Sequence, residues 1–121
     1  MIENFRWENQ NKFFTWSSQM KEFKKEYRSS IESVIKLLDS SGFAVVLSHL
    51  DYGKRNAFIL NADGRERFNF SIPTEIRDAI CFHEIYYLNG VLIAIVATRS
   101  VDYACVIDPN SGNLTKFYET R

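Results

Sequence analysis

Gly42-Phe43-Ala44-Val45-Val46-Leu47 and Gly90-Val91-Leu92-Ile93-Ala94-Ile95 decide the fold, because each opens a unit that the chain then writes twice. A charged loop and a second apolar run follow each: Ala57-Phe58-Ile59-Leu60-Asn61 in the first unit, Ala104-Cys105-Val106-Ile107-Asp108 in the second. A turn with glycine, at Gly64 or Gly112, leads to a third run ending in aromatics, Phe68 and Phe70 or Phe117 and Tyr118. Gly42 and Gly90 lie 48 positions apart and Ala57 and Ala104 lie 47 apart, a spacing typical of repeated supersecondary units. Residues 43–47 and 91–97 are apolar at every position instead of alternating. Strands of that kind are buried on both faces, so something is expected to pack over each side.

Working outward, the candidate strands are 43–50, 55–61, 66–71, 79–88, 91–98, 103–108 and 114–119. Ala62-Asp63-Gly64, Asn89-Gly90 and Asp108-Pro109-Asn110-Ser111-Gly112 supply turn chemistry between them, and Asn-Gly between apolar runs is a hairpin signature. Upstream, Met20, Phe23, Tyr27, Ile31, Val34, Ile35 and Leu38 recur at steps of three and four. This spacing predicts an amphipathic helix from about 17 to 40. Thr15, Ser17 or Ser18 would cap its start and Gly42 its end, with Ser29-Ser30 a soft spot where it would divide. Residues 2–8 alternate as a short strand. Phe5, Trp7, Phe13, Phe14 and Trp16 read first as rings packed on the sheet; an exposed protein-binding surface or a base-stacking surface are the other readings. Arg6 and Lys12 supply little charge for the last.

The expected architecture is therefore α+β: an N-terminal helix packed on antiparallel β meanders, two blade-like units with six to eight strands in all. It forms a single domain over 1–121, with an arm and helix (1–41), a first β unit (42–71) and a second (79–119). Composition narrows the function. Fifteen basic residues balance fifteen acidic ones, so no global field favours nucleic acid or a membrane surface. The start lacks the basic-then-apolar pattern of a secretory signal, and no apolar stretch reaches membrane-spanning length. Cys81 and Cys105 sit among apolar neighbours, as buried reduced thiols do. The expectation is a cytoplasmic protein with no cofactor.

Threading the strands up and down sends the connections to opposite ends. The tight turns gather at one end. The other collects 51–54, 72–78 and 99–102, with Asp51, Tyr52, Lys54, Glu75, Arg77, Asp78, Arg99, Asp102 and the adjoining Tyr103. Long loops that mix charge with Tyr and Arg are where protein recognition concentrates, so these nine are the candidate partner-binding residues. The ordinary alternative is that such loops are polar because they are wet.

The run from Ala57 through Gly64 to Phe70, and its counterpart from Ala104 through Gly112 to Tyr118, resembles strands of a β-propeller blade. That resemblance implies four-stranded meanders and nothing about activity. The whole chain, compact and aromatic-rich with Asp51-Tyr52 and Asp102-Tyr103 in its loops, is similar to immunity proteins of bacterial contact-dependent growth inhibition systems. The similarity implies a non-catalytic module that binds and blocks a toxin domain, a nuclease in many such systems. An accessory subunit or secretion chaperone is the alternative.

Other chemistry finds less support. His49 and His83, the two histidines, would be the acid and base of a small hydrolase or ribonuclease, but nothing in their spacing joins them. Cys81, His83, Cys105 and His49 are zinc-ligand types, yet only Cys81 and His83 are closely spaced. Asp108-x-Asn110-x-Gly112 partly matches a calcium loop, with glycine one position early; a hairpin turn accounts for it better. A Cys81–Cys105 disulfide is not expected, since an intervening strand separates the two. The sequence carries no nucleophile-elbow or Walker motif.

Overall fold

The computed structural model describes residues 1–120 and is built almost wholly from antiparallel strands. The first sheet runs β1 (Ile2–Arg6), β2 (Phe13–Ser18), β3 (Lys21–Glu26). The second runs β4 (Ile31–Lys36), β5 (Gly42–Leu47), β6 (Ala57–Asn61), β7 (Glu66–Asn69). The third runs β8 (Ala79–Leu88), β9 (Val91–Thr98), β10 (Asp102–Ile107), β11 (Leu114–Thr120). All three are plain meanders, and the repeat is a structural one: β5 to β7 correspond in order to β9 to β11. The helical content is a single short turn, α1 (His49–Tyr52), continued as a 3-10 turn at Gly53–Arg55.

The α+β expectation is overturned. The segment expected to be helical over 17–40 holds the end of β2, all of β3 and all of β4. Its three-and-four spacing arises because apolar residues of two successive strands interleave by coincidence. Phe23 of β3 and Tyr27 just past its end pack against the cluster between the first two sheets, and Ile31 and Val34 are core residues of β4. Met20 and Leu38, the ends of the supposed stripe, are solvent-exposed. The β2–β3 turn carries no turn signature, yet Gln19 and Met20 both take positive φ, 50° and 65°, with Ser18 opposite Lys21. That is the two-residue hairpin conformation Asn-Gly normally supplies. Changing Gln19-Met20 to Asn-Gly should therefore raise stability by about 1 kcal/mol, read from urea unfolding. A helix here would instead lose about 1 kcal/mol on gaining the glycine.

The second sheet is the middle layer, and its register shows why β5 is apolar throughout. Phe43 pairs with Leu60 and Val45 with Phe58, and this face packs on the first sheet with Phe14, Trp16 and Ile2. Ala44 pairs with Ile59 and Val46 with Ala57, and that face packs on the third sheet with Phe82, Ile85, Leu92, Ala94, Val96 and Cys105. Period-two alternation delivers one set to each side. The cover expected from a helix comes from the N-terminal hairpin sheet. Phe14 and Trp16 are fully buried there, and the Trp16 indole N–H donates to the Ala62 carbonyl at 2.8 Å. Gly42 is not a helix cap but a strand residue: a side chain at this position would run into the Leu60 backbone carbonyl.

Two hydrogen-bonding devices brace the stack, the first within the second sheet and the second between the second and third. At the tight-turn end, Arg67 donates to the Ser41 carbonyl at 3.0 Å and to its hydroxyl at 2.9 Å, tying β7 to the β4–β5 turn. At the other end, buried Asn56 donates to the Leu47 and Phe82 carbonyls at 2.8 and 2.7 Å and accepts from the Phe82 N–H at 2.9 Å. One amide thus joins the second sheet to the third.

Candidate functional site

Three connections meet at the Asn56 end of the stack. α1 and the 3-10 turn link β5 to β6, residues 70–78 link β7 to β8, and residues 99–101 link β9 to β10. The Ser48 hydroxyl accepts from the Leu50 N–H at 3.3 Å, which starts α1. The Phe70 N–H donates to the Ala57 carbonyl at 3.0 Å, and the Arg99 N–H to the Asp78 carbonyl at 3.3 Å, so the loops hang from adjoining strand ends. The nine residues singled out in the sequence fall as follows. Asp51 and Lys54 are exposed on the helical turn, with Tyr52 half-buried beside them. Glu75, Arg77 and Asp78 are exposed before β8, and Arg99 is exposed after β9. Asp102 opens β10 and is half-buried. Tyr103 is the exception: its ring leans on the core and lies edge-on to Phe117 at 6.2 Å, away from the loop surface. Among the described residues none of these charges is in an ion pair; the pairs present are Lys24–Glu26 and Arg65–Asp63.

The sequence reading did not pick out the outer face of the third sheet. β9 is apolar on both sides, but among the described residues no further sheet or helix packs over its outward side. Ile93 and Ile95 are 3% and 7% exposed, sheltered there by their own sheet neighbours Ala104, Tyr86 and Val106. Tyr86 stands opposite Ile93 and Glu84 opposite Ile95. Tyr118, half-exposed, stands opposite Ala104, and Thr120 opposite Asp102. A shallow depression of about 350 Å³ over Ile95 is rimmed by His83, Glu84, Tyr86 and Asp102, which makes this face continuous with the loop end. The available signal was β9 itself, apolar at every position from 91 to 97 where a sheet packed on one face alone would alternate.

The histidines do not form a unit. His49 begins α1 instead of ending β5, and His83 sits in β8 at an irregularity of pairing between Phe82 and Glu84; both are exposed. No cluster of three His, Cys, Asp or Glu side chains suited to a metal occurs among the described residues. The Asp108–Gly112 segment is the β10–β11 turn, where hydrogen bonds from the Asn110 backbone N–H and Ser111 hold the Asp108 carboxyl below its ordinary range. Cys81 and Cys105 are free thiols on strands separated by β9. Burial first, then Glu32 and Asp102, pushes the Cys81 thiol up.

Burial alone pushes Cys105 from 9.0 to about 11. Its unfolded thiol ionises near 9 while the folded one stays protonated, so this contribution is whole below pH 9 and is lost as pH rises toward 11. Stability should fall by roughly 1 kcal/mol for Cys105 between pH 9 and 10, because the unfolded thiol is only half ionised at the start of that interval. Urea midpoints at the two pH values should decline less in Cys105→Ala; an equal decline would show that another group is responsible.

No helix of the described residues is long and apolar enough to cross a membrane. No family model and no curated protein sequence matches the chain. Among solved structures it resembles a chain of the structure of Tne2 in complex with Tni2, with a TM-score of 0.68 at 11% identity over 90% of this chain and 77% of that one. It also resembles a protein of unknown function from Bacteroides caccae, with a TM-score of 0.58 at 14% identity over 98% of this chain. The match spans 39% of that longer chain. At these identities the likeness is one of fold: stacked antiparallel meanders of a kind that occurs in a two-protein complex.

Proposed function

We propose that this protein is a non-catalytic inhibitor of the immunity type, which binds a toxin domain and blocks it by occlusion. The observation that carries the reading is the open outer face of the third sheet, where half-buried Tyr86 and half-exposed Tyr118 stand beside the Ile93, Ile95 and Ala104 cluster and run into a loop end whose charges have no ion-pair partner among the described residues. Interfaces are built this way, with an aromatic and aliphatic centre and a polar rim. Tyr86 and Tyr118 are the aromatic anchors; Asp102, Glu84 and Arg99 form the rim and set the register of the encounter. The fold adds support, because the Tne2–Tni2 structure holds a similar chain in a complex, which we read as a toxin with its immunity protein.

The test is co-expression with the toxin domain encoded beside the gene. Growth should be restored by the native protein and not by a Tyr118→Ala, Asp102→Lys double variant, whose sites are only partly buried and whose folding is confirmed by urea unfolding beside the native protein. The double change should weaken the purified complex by roughly 100-fold, on the scale of hot-spot truncation. Full rescue by the double variant would remove the sheet face from the interface, and no rescue by the native protein would remove the immunity reading. The alternative, an accessory subunit or secretion chaperone, rests on β11. This edge strand has five consecutive exposed residues, 115–119, and could accept an added strand.

A further inference from the structure

A second, smaller site lies between the free edge of β3 and the β6–β7 side of the second sheet, where a cleft of about 140 Å³ opens beside α1. Its floor is apolar: Leu47, Phe58 and Leu60. Tyr27 leans over it with its ring 5.7 Å from Phe58, and its hydroxyl is buried without a hydrogen-bond partner among the described residues. A buried phenol with nothing to donate to is destabilising, and native structures rarely keep one without a use. Burial, followed by the nearness of Tyr52 and Glu66, pushes its ionisation up, so at neutral pH it is a donor.

The cations around the cleft have neutral partners and no acidic one among the described residues. Lys25 makes one long contact, 3.5 Å to the Gly64 carbonyl, and sits 5.9 Å from the Tyr27 ring centroid. Arg55 donates to Asn69 and Ser71, both neutral. Among the described residues neither cation is within ion-pair distance of a carboxylate, and Glu66, the acid of the lining, is exposed and pairs with neither. Three donors therefore line an apolar floor, with Glu66 the one acid at the exposed rim and in no ion pair with them. The volume is that of four or five waters at about 30 Å³ each, or a carboxylate on a two-carbon stem.

We infer that this cleft is a receptor for one carboxylate on a short apolar stem: a glutamate or aspartate side chain of the protein partner, held by the Tyr27 hydroxyl and the Lys25 and Arg55 cations. The partner's identity rests on the functional reading above; the carboxylate site does not. Sodium propionate serves as the probe, with n-propylammonium chloride at equal ionic strength as the control, followed through the tyrosine ring signals by NMR. Propionate should bind saturably with a dissociation constant on the order of 10 mM, as the size of the ligand allows, and shift Tyr27 and Tyr52. Propylammonium should shift neither. Tyr27→Phe should abolish the response while leaving the melting temperature equal or higher, because it removes a donor that has no partner. Lys25→Met should weaken binding several-fold in a protein that still carries the phenol.

A response common to both salts, or one that survives Tyr27→Phe, would overturn the site. So would a clear fall in melting temperature of Tyr27→Phe, since the hydroxyl would then be satisfied in the free protein. With the neighbouring toxin domain, Tyr27→Phe should weaken binding about tenfold. Propionate binding with no toxin binding would sink the immunity reading and leave the carboxylate site standing.

Discussion

Replacing Asn56 with leucine should destabilise the protein by about 3–5 kcal/mol, although the two side chains are nearly the same size. The amide satisfies three main-chain groups at once: the Leu47 carbonyl, the Phe82 carbonyl and the Phe82 N–H. Asn56 is 1% exposed, so water cannot readily take over. Each buried polar group left unpaired costs about 1–3 kcal/mol, and the leucine methyls return only part of that. Asn56→Asp is the informative companion, because a carboxylate still accepts from the Phe82 N–H but repels both carbonyls. Urea unfolding should place both variants well below native. A loss under about 1 kcal/mol for leucine would mean that the second and third sheets are held together in some other way.

Phe43→Ala should cost a similar amount, about 3–5 kcal/mol, by leaving a cavity where the first two sheets meet. Its ring is fully buried and lies 5.0 Å from Phe5, 5.1 Å from Phe14 and 5.0 Å from Trp16, centroid to centroid. Truncation strips one wall from both hydrophobic neighbours and the tryptophan. Trp16 fluorescence should shift to the red in the folded variant, because the indole gains water as the N-terminal sheet loosens. An unchanged emission spectrum with a loss under 2 kcal/mol would show that the first sheet is held independently of this cluster.

From Gly42 onward the strands were readable because each is bounded by residues whose backbone preference forces a turn. Asn89-Gly90 takes φ of 50° and 79° between Leu88 and Val91, as its chemistry demands. The N-terminal third lacked such punctuation. Gln19-Met20 turns the chain with residues that seldom do so, and Ser29-Ser30, read as a weak point of a helix, is the gap between two strands. Without those marks, seven apolar residues fell into helical spacing by accident. That error hid the cover on the middle sheet and put Tyr27 on a helix face when it lines a cleft. Asn56 was invisible for another reason: its partners are 9 and 26 residues away, and a lone Asn before an apolar run looks like any loop residue. That the three longer loops share one end was legible because up-and-down threading alone sorts connections by end. Tyr103 was grouped with them by adjacency to Asp102, although strand alternation turns its ring inward.

The central claim is that a partner is gripped at the Asn56 end and over the open face of the third sheet. Hydrogen exchange of the protein alone and bound to the toxin domain proposed as its partner tests this most directly, since these loops lie outside the strand ladders. The complex should slow exchange across 48–55, 72–78 and 99–101 and leave the turns at 38–41, 62–65 and 108–113 unchanged. Slowing confined to those tight turns, with the loop end exchanging as before, would contradict it.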